Sequence, residues 1–499
     1  MKFVRLARVA AMAATGLTPA LPFAVADAQT VTPQAVAEPA SPTSTAYPAA
    51  ASGDGNTVGG YNQSRWAEDW RKLCDPAKRD DPIDALKCVK LTRDGASYVT
   101  FSGELRTRMN LTTNPNLREV EQQRQDIARI VGGADVHLGD HFRVFGELGR
   151  AELQGINLGS PNANLRNQLT VQQLFAEVKG QALGLDVGVR AGRQEFYDGP
   201  QLLTVGRDNN SLYFVLDGVR AYARGANARI DVFDLNYVNY GFGGISDDRT
   251  NPDIRFTGAT FGFRLSPKLF GGSKLFLDPF VWRLRNRRAT WGGIVAPEER
   301  YFLGLHAYGD VGPLNIDWTV NNQRGNFGDR TISAWQAFVA QTYRLGKTPS
   351  APRVGVHFDY GSGGGSYERT GALNSTSGLF GNNVYYSYGL FLTPTNLLYA
   401  APNFSFTPLK GVRVAAEYGF AWRPDEQDAV YRASGAAWAG TQNVRGKKVA
   451  EIARLQAVWT ITPRLSFTGR YEHFKADTVL QRANLKSSDF WAGWLSFRF

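Results

Sequence analysis

The chain has 499 residues, 20% of them charged, with 56 Lys and Arg against 45 Asp and Glu and a formal charge of +11. That length admits two or three soluble domains or one large architecture; 53 Gly, 3 Met and 12% aromatic residues argue against a helical protein, because Gly and aromatic rings favour turns and strands. The 2 cysteines and 5 histidines form no C-x-x-C pair and no metal cluster, and no phosphate loop or dinucleotide fingerprint is present, so no cofactor is expected.

Residues 1–28 carry Lys2, Arg5 and Arg8 ahead of an apolar run that ends in Ala26-Asp27-Ala28. This is the pattern of a secretory signal peptide cleaved after Ala28. A membrane anchor is the alternative, against which Thr18, Pro19 and Pro22 interrupt the run. An exported basic chain rarely meets nucleic acid; an anionic solute or lipid head group is the expected partner. Residues 29–60, rich in Ala, Pro, Thr, Ser and Gly, read as a disordered low-complexity linker.

Residues 61–96 read as a periplasmic helical and turn segment. Trp66, Trp70 and Leu73 fall at i, i+4 and i+7, which predicts a short amphipathic helix, and Asp75-Pro76 and Asp81-Pro82 break the chain beyond Cys74 into turns. Cys74 and Cys88 are expected to form a disulfide in an oxidising compartment, worth about 3 kcal/mol.

From residue 97 to 499 the period changes to two. In "YVTFSGELRTRMNL", Val99, Phe101, Leu105 and Met109 share one face and Glu104, Arg106, Arg108 and Asn110 the other. The same alternation sets Phe280, Trp282 and Leu284 against Arg283, Arg285 and Arg287, and Val412, Val414, Tyr418 and Phe420 against Arg413 and Glu417. Short breaks such as "LGDH" at 138–141 and "PLKG" at 408–411 separate some runs, and long polar stretches such as 361–383 and 424–446 separate others. Short turns at one end, long loops at the other and about 18 long strands predict an all-β fold, a transmembrane antiparallel β-barrel of the Gram-negative outer membrane. A soluble sandwich or propeller is disfavoured by strands often ten residues or more long, against about five or six in soluble sheets. The uncharged stretch Thr370–Leu409 contains Asn and three Pro and predicts a long loop, either folded into the lumen or lying on the surface, followed by a strand near 397–407. The terminal "FWAGWLSFRF" predicts the closing strand, and its last Phe resembles the signal read by the outer-membrane assembly machinery.

Charge near the midplane of the lipid face is costly, so parity assigns the polar face to the lumen. Inward cations are then Arg106, Arg108, Arg190, Arg220, Arg224, Arg283, Arg285, Arg287, Arg353, Arg413, Arg423, Arg454, Arg470 and Arg498, against fewer acids: Glu104, Asp135, Glu147, Asp317, Asp359, Glu417 and Glu472. Such a lumen favours anions, and the arginine fork suits carboxylates. The alternative is that these arginines simply pair with those acids and fill the barrel.

The stretch 190–220, with Arg190, the "GRQE" of Gly192–Glu195 and the "DGVR" of Asp217–Arg220, resembles the alginate-export family of bacterial outer-membrane porins, as do "EDW" at Glu68–Trp70, "DPIDALK" at 81–87 and "FSGELRTR". The resemblance implies an 18-stranded barrel whose electropositive constriction passes anionic polysaccharide. It makes Arg193 and Arg220 candidates for that constriction, with Asp217 orienting them and Arg190 beside them.

The expected function is therefore a porin for anionic oligo- or polysaccharide, with outer-membrane lipid, the solute and the assembly machinery as partners. The competing readings are a barrel enzyme such as a lipid hydrolase and a plugged structural or adhesion barrel. His306 and His357 can face inward, but no G-x-S-x-G accompanies them, so no catalytic activity is expected.

Overall fold

The computed structural model describes residues 57–58, 61–62, 64–159, 162–197, 202–381 and 384–499. The signal peptide at 1–28 and nearly all of the linker at 29–60 lie outside the described residues.

Short strands β1 (Thr57–Val58), β2 (Tyr61–Asn62) and β3 (Val89–Lys90) precede the barrel. The wall begins with β4 (Tyr98–Thr112), β5 (Gln123–Leu138), β6 (Phe142–Ile156), β7 (Asn167–Ala182), β8 (Leu185–Gln194) and β9 (Leu216–Arg224). It continues with β10 (Ala228–Asn239), β11 (Arg249–Arg264), β12 (Lys274–Trp291), β13 (Ile294–Val311), β14 (Leu314–Phe327) and β15 (Arg330–Arg344). It ends with β16 (Arg353–Gly361), β17 (Leu397–Leu409), β18 (Val412–Trp422), β19 (Lys448–Thr460), β20 (Leu465–Ala476) and β21 (Ser488–Arg498). Strands β4 to β21 pair antiparallel with their sequence neighbours, and β21 closes on β4 with Phe490 opposite Thr112 and Arg498 opposite Glu104. Eighteen strands leave no open edge, as lipid requires of a sheet, and the C-terminal run is the closing strand the alternation predicts.

The links after β5, β7, β9, β13, β17 and β19 are short and lie at the end where β4 begins and β21 finishes. The longest connections, 195–215, 362–396 and 423–447, lie at the opposite, extracellular end. Gly292 and Gly293 make a two-residue turn there with φ of +55° and +82°, the left-handed pair that a tight hairpin needs. Alternate residues such as Leu105, Met109, Ile130, Val189, Val232, Val281, Leu303, Phe358, Phe467 and Leu495 are exposed on the outer wall, forming the apolar band that meets lipid.

Parity fails on β12, although it holds on β9, where Arg220 is buried inward, and on β14, where Trp318 and Val320 are exposed and Thr319 and Asn321 buried. Phe280, Trp282 and Leu284, expected on the lipid face, are buried inside the barrel with Phe233, Phe256, Phe302 and Phe338. Phe196, Leu203, Phe214 and Phe380 arrive from the extracellular connections to cover them. Here the inner face is apolar because loops folded into the lumen cover it, while the outer face turns charged beyond Val281, so hydrophobicity assigns the two sides in reverse. The described parts of the next long connection, 362–381 and 384–396, are internal: Ser377 O accepts from Gln323 Nε2 at 3.2 Å and Gln336 Nε2 at 3.0 Å, and Ser387 Oγ donates to Glu472 at 2.6 Å.

The predicted helix through Trp66, Trp70 and Leu73 is instead two short 3-10 turns, Arg65–Ala67 and Arg71–Cys74. The two indoles have different destinations: Trp66 enters the barrel against Phe145 and Phe175, while Trp70 meets Tyr61 in the segment itself. Cys74 and Cys88 are bonded, and Asp81 and Asp84 form a capping box around Pro82–Leu86. Arg464, in the β19–β20 turn, holds this segment to the rim through Tyr61 at 2.7 Å and Asp84 at 2.5 Å.

Candidate anion path in the lumen

Inward alternation on β4 brings Glu104, Arg106, Arg108 and Asn110 into the interior. Glu104 is fully buried and has four guanidinium neighbours: Arg106 at 2.8 Å, Arg129 at 2.9 Å, Arg65 at 3.4 Å and Arg498 at 3.7 Å. Asp208 reaches the same cluster from the 195–215 connection, 2.9 Å from Arg106 and 2.7 Å from Arg129. Burial by itself would raise the Asp208 carboxyl, but Arg106 and Arg129 outweigh it and hold the group down at about 2. The loop is thus tied to the wall by an ionised side chain.

The next pair has no such partner. Arg108 donates from Nε to Asn110 at 2.6 Å and from Nη1 to the Asn209 carbonyl at 2.8 Å. Arg470 donates to Gln456 at 2.6 Å and to Asn209 Oδ1 at 3.2 Å. Neither forms an ion pair with a carboxylate among the described residues. The Trp494 ring lies beside both, 5.0 Å from Arg108 and 4.9 Å from Arg470, and Tyr388 is 4.7 Å from Arg470. Neutral amides and ring faces orient these cations without cancelling their charge. At the periplasmic end Arg344 faces Arg353 across β15 and β16, and Arg413 shares that inner rim. None of these three forms an ion pair among the described residues.

The residues carried over from the family resemblance do not form the constriction expected of them. Arg193 and Asp217 pair at 2.9 Å, but they share the outward face with Leu174 and Asn236. Arg190 and Arg220 do face inward, yet Glu177 holds the first at 2.8 Å and Asp231 binds the second directly. Both are wall ion pairs, buried to about 1–2% exposure. Arg283, Arg285 and Arg287 lie outside the barrel, because their neighbours Phe280, Trp282 and Leu284 point inward. The lumen does receive Arg106, Arg108, Arg413, Arg454 and Arg470, as parity predicts. His306 and His357 face inward as lining groups held by Asp317 at 2.8 Å and Asp359 at 2.6 Å.

Sequence reasoning missed Arg65, Arg129, Asp208, Asn209, Tyr388 and Trp494. Trp494 alternates with Ser496 and Arg498, which is a readable signal for an inward ring. Arg65, Asp208, Asn209 and Tyr388 come from non-strand segments, where period-two alternation gives no direction.

A family-wide profile for alginate export matches residues 97–493. The chain belongs to the alginate-export family. No functionally curated protein matches it in sequence. Similar solved structures include Acinetobacter baumannii OccAB1, with 12% identity and a TM-score of 0.54 over 83% of this chain and 98% of that one. A BenF-like porin from Pseudomonas fluorescens Pf-5 gives 11% identity and a TM-score of 0.53 over 80% and 98%. Pseudomonas aeruginosa OccK2, solved in complex with glucuronate, gives 11% and 0.51 over 80% and 98%. At such identities these neighbours share the fold. This alginate-export barrel is an outer-membrane channel whose central cluster sets six arginines (65, 106, 108, 129, 470 and 498) against three carboxylates, Glu104, Glu147 and Asp208.

Proposed function

We propose that this channel passes anionic solutes, with an alginate-type oligo- or polysaccharide as the cargo that fits best. The observation that carries this reading is the Arg108–Arg470 pair, two lumen cations bonded only to neutral groups. A polyuronate presents one carboxylate per sugar, and a guanidinium fork binds a carboxylate through two parallel hydrogen bonds. Trp494 and Tyr388 beside the pair offer apolar faces to a sugar ring. Arg344, Arg353 and Arg413 give further positive positions toward the periplasm, and several moderate sites in series suit conduction better than one tight site. The fold neighbour solved with a uronate supports the same solute class. Insertion is proposed to begin with the assembly machinery reading the C-terminal strand that ends in Phe499.

The test is reversal potential in planar bilayers, with an alginate oligomer added as blocker. Anion selectivity and block that both weaken in Arg108→Gln/Arg470→Gln support the reading, and cation selectivity in the parent protein overturns it. A second reading, a plugged barrel, is favoured by the internal positions of 202–215, 362–381 and 384–396; no conductance in any variant would select it.

A further inference from the structure

A second basic site lies on the outside of the wall. On β10 to β13 the outward residues form level rows across the sheet. Val232, Ala259, Val281 and Leu303 are register partners in one row, all apolar. The next row toward the extracellular end is Asp234, Thr257, Arg283 and Tyr301, and the one above it is Asn236, Arg255, Arg285 and Glu299. Lipid-facing side chains thus change from apolar to charged within one step, with Tyr301 at the boundary. Charges near the bilayer midplane are costly while those at the interface cost little, which sets these rows at the level of the outer-leaflet head groups.

Arg255, Thr257, Arg283 and Arg285 line a cleft there. Arg255 and Arg285 stand directly opposite each other on adjacent strands, a like-charge pairing that destabilises a sheet unless an anion bridges it. The local acids cover only part of the charge. Asp234 pairs with Arg255, Glu299 lies 2.9 Å from Arg283, and Asp253 lies 3.7 Å from Arg287. Arg285 forms no ion pair among the described residues, because Glu299, which stands opposite it on β13, closes on Arg283 instead, and Arg283 Nε is enclosed without an acceptor. Three guanidinium groups and a hydroxyl converging at head-group depth match a phosphate monoester, whose oxygens accept several charge-assisted bonds.

We propose that this cleft binds a phosphate of a phosphorylated glycolipid of the outer leaflet, fixing one lipid to the β11–β12 wall. The site is separate from the lumen, so the proposal stands apart from the solute that the channel carries. The experiment is native mass spectrometry of the detergent-solubilised barrel titrated with bis-phosphorylated lipid A, its dephosphorylated form, and inorganic phosphate. The parent protein should retain the phosphorylated lipid at least about tenfold better than the dephosphorylated one, and Arg283→Gln/Arg285→Gln should lose that preference, consistent with loss of charge-assisted bonds. Arg150→Gln, which alters an outward arginine paired with Glu152 on another part of the wall, should keep it. Unchanged single-channel conductance in Arg283→Gln/Arg285→Gln would confirm that the variant is folded. Equal retention of the two lipids, an equal loss in Arg150→Gln, or competition by inorganic phosphate at the lipid's own concentration would overturn the assignment.

Discussion

The Arg190 guanidinium lies over the indole of Trp66, 3.9 Å from the ring centroid, while Glu177 accepts from its Nη2 at 2.8 Å. A wall residue from the family-like motif is therefore a seat for the N-terminal segment. Trp66 is further held by Phe145 and Phe175 and donates from Nε1 to Glu195 at 3.2 Å. Its carbonyl accepts from Arg143, and its neighbour Arg65 donates to Glu147 at 2.7 Å.

Trp66→Ala removes the ring that fills this seat. A buried Trp-to-Ala change costs about 3–5 kcal/mol where the packing is tight, and here the loss falls on the segment, since the barrel ladders do not involve Trp66. The expected outcome is a folded barrel with faster hydrogen exchange across 64–90 and a larger single-channel conductance. Unchanged protection of 64–90 would refute the role of Trp66 as the anchor.

The two classes of lumen arginine predict opposite phenotypes. Arg108→Gln/Arg470→Gln should lower the anion-to-cation permeability ratio severalfold with little loss of stability, because those side chains neutralise no carboxylate. Arg220→Ala should do the reverse. Asp231 is fully buried and bonded by Arg220 and by Arg229 at 2.5 Å. Breaking a buried pair costs about 3–5 kcal/mol, and the remaining Arg229 contact places the expected loss at the lower end. Arg193→Ala, on the outer face, should leave selectivity unchanged. Urea unfolding in detergent and reversal potentials, measured on the same samples, separate these outcomes.

Asp208 gives the 195–215 connection an acid-sensitive tether. Arg106 and Arg129 hold its carboxyl at about 2, below the ordinary value of about 3.9. A depressed acid stabilises the folded arrangement fully above its unfolded pKa and loses that contribution as pH falls through its folded pKa. The loop should therefore be clamped above about pH 4 and progressively released toward pH 2. Asp208→Asn should weaken the tether at neutral pH to the bonds that Arg106 and Arg108 make to the Asp208 and Asn209 carbonyls, and flatten the acid limb of loop proteolysis. A proteolysis profile identical to the parent at pH 7 would count against the tether.

The outer wall of this barrel was legible because one physical rule governs it: lipid accepts alternate apolar side chains and little else. The rule gave the closing pair of β21 and β4 and the inward Arg106, Arg108 and Arg470. It failed at Arg283 and Arg285, where Phe280 and Trp282 meet folded-in loops and so satisfy burial without lipid. A signal was present in the sequence: Val281 alternates with Phe280 and Trp282, so that stretch of the strand is apolar on both faces and parity is ambiguous there. Asp208 and Tyr388 were illegible for a different reason. Loop residues acquire direction from tertiary contacts, and no short-range period encodes those.

Phe499 tests closure against address. Its N–H donates to Gly103 O at 3.1 Å and its carbonyl accepts from Gly103 N at 2.9 Å, making the last rung of the β21–β4 seam. The ring lies so close to Gly103 that a Cβ there would come within 2.6 Å of it and 2.8 Å of the Val131 carbonyl. Gly103→Ala should therefore displace the ring or the rung and slow folding wherever it is measured. Phe499→Ala keeps the backbone rung and removes only the ring. If the ring is an address, Phe499→Ala should fold into synthetic vesicles at the parental rate, yet accumulate several times more slowly in cells. Equal slowing in both settings would make the ring a packing element of the seam and remove the address role.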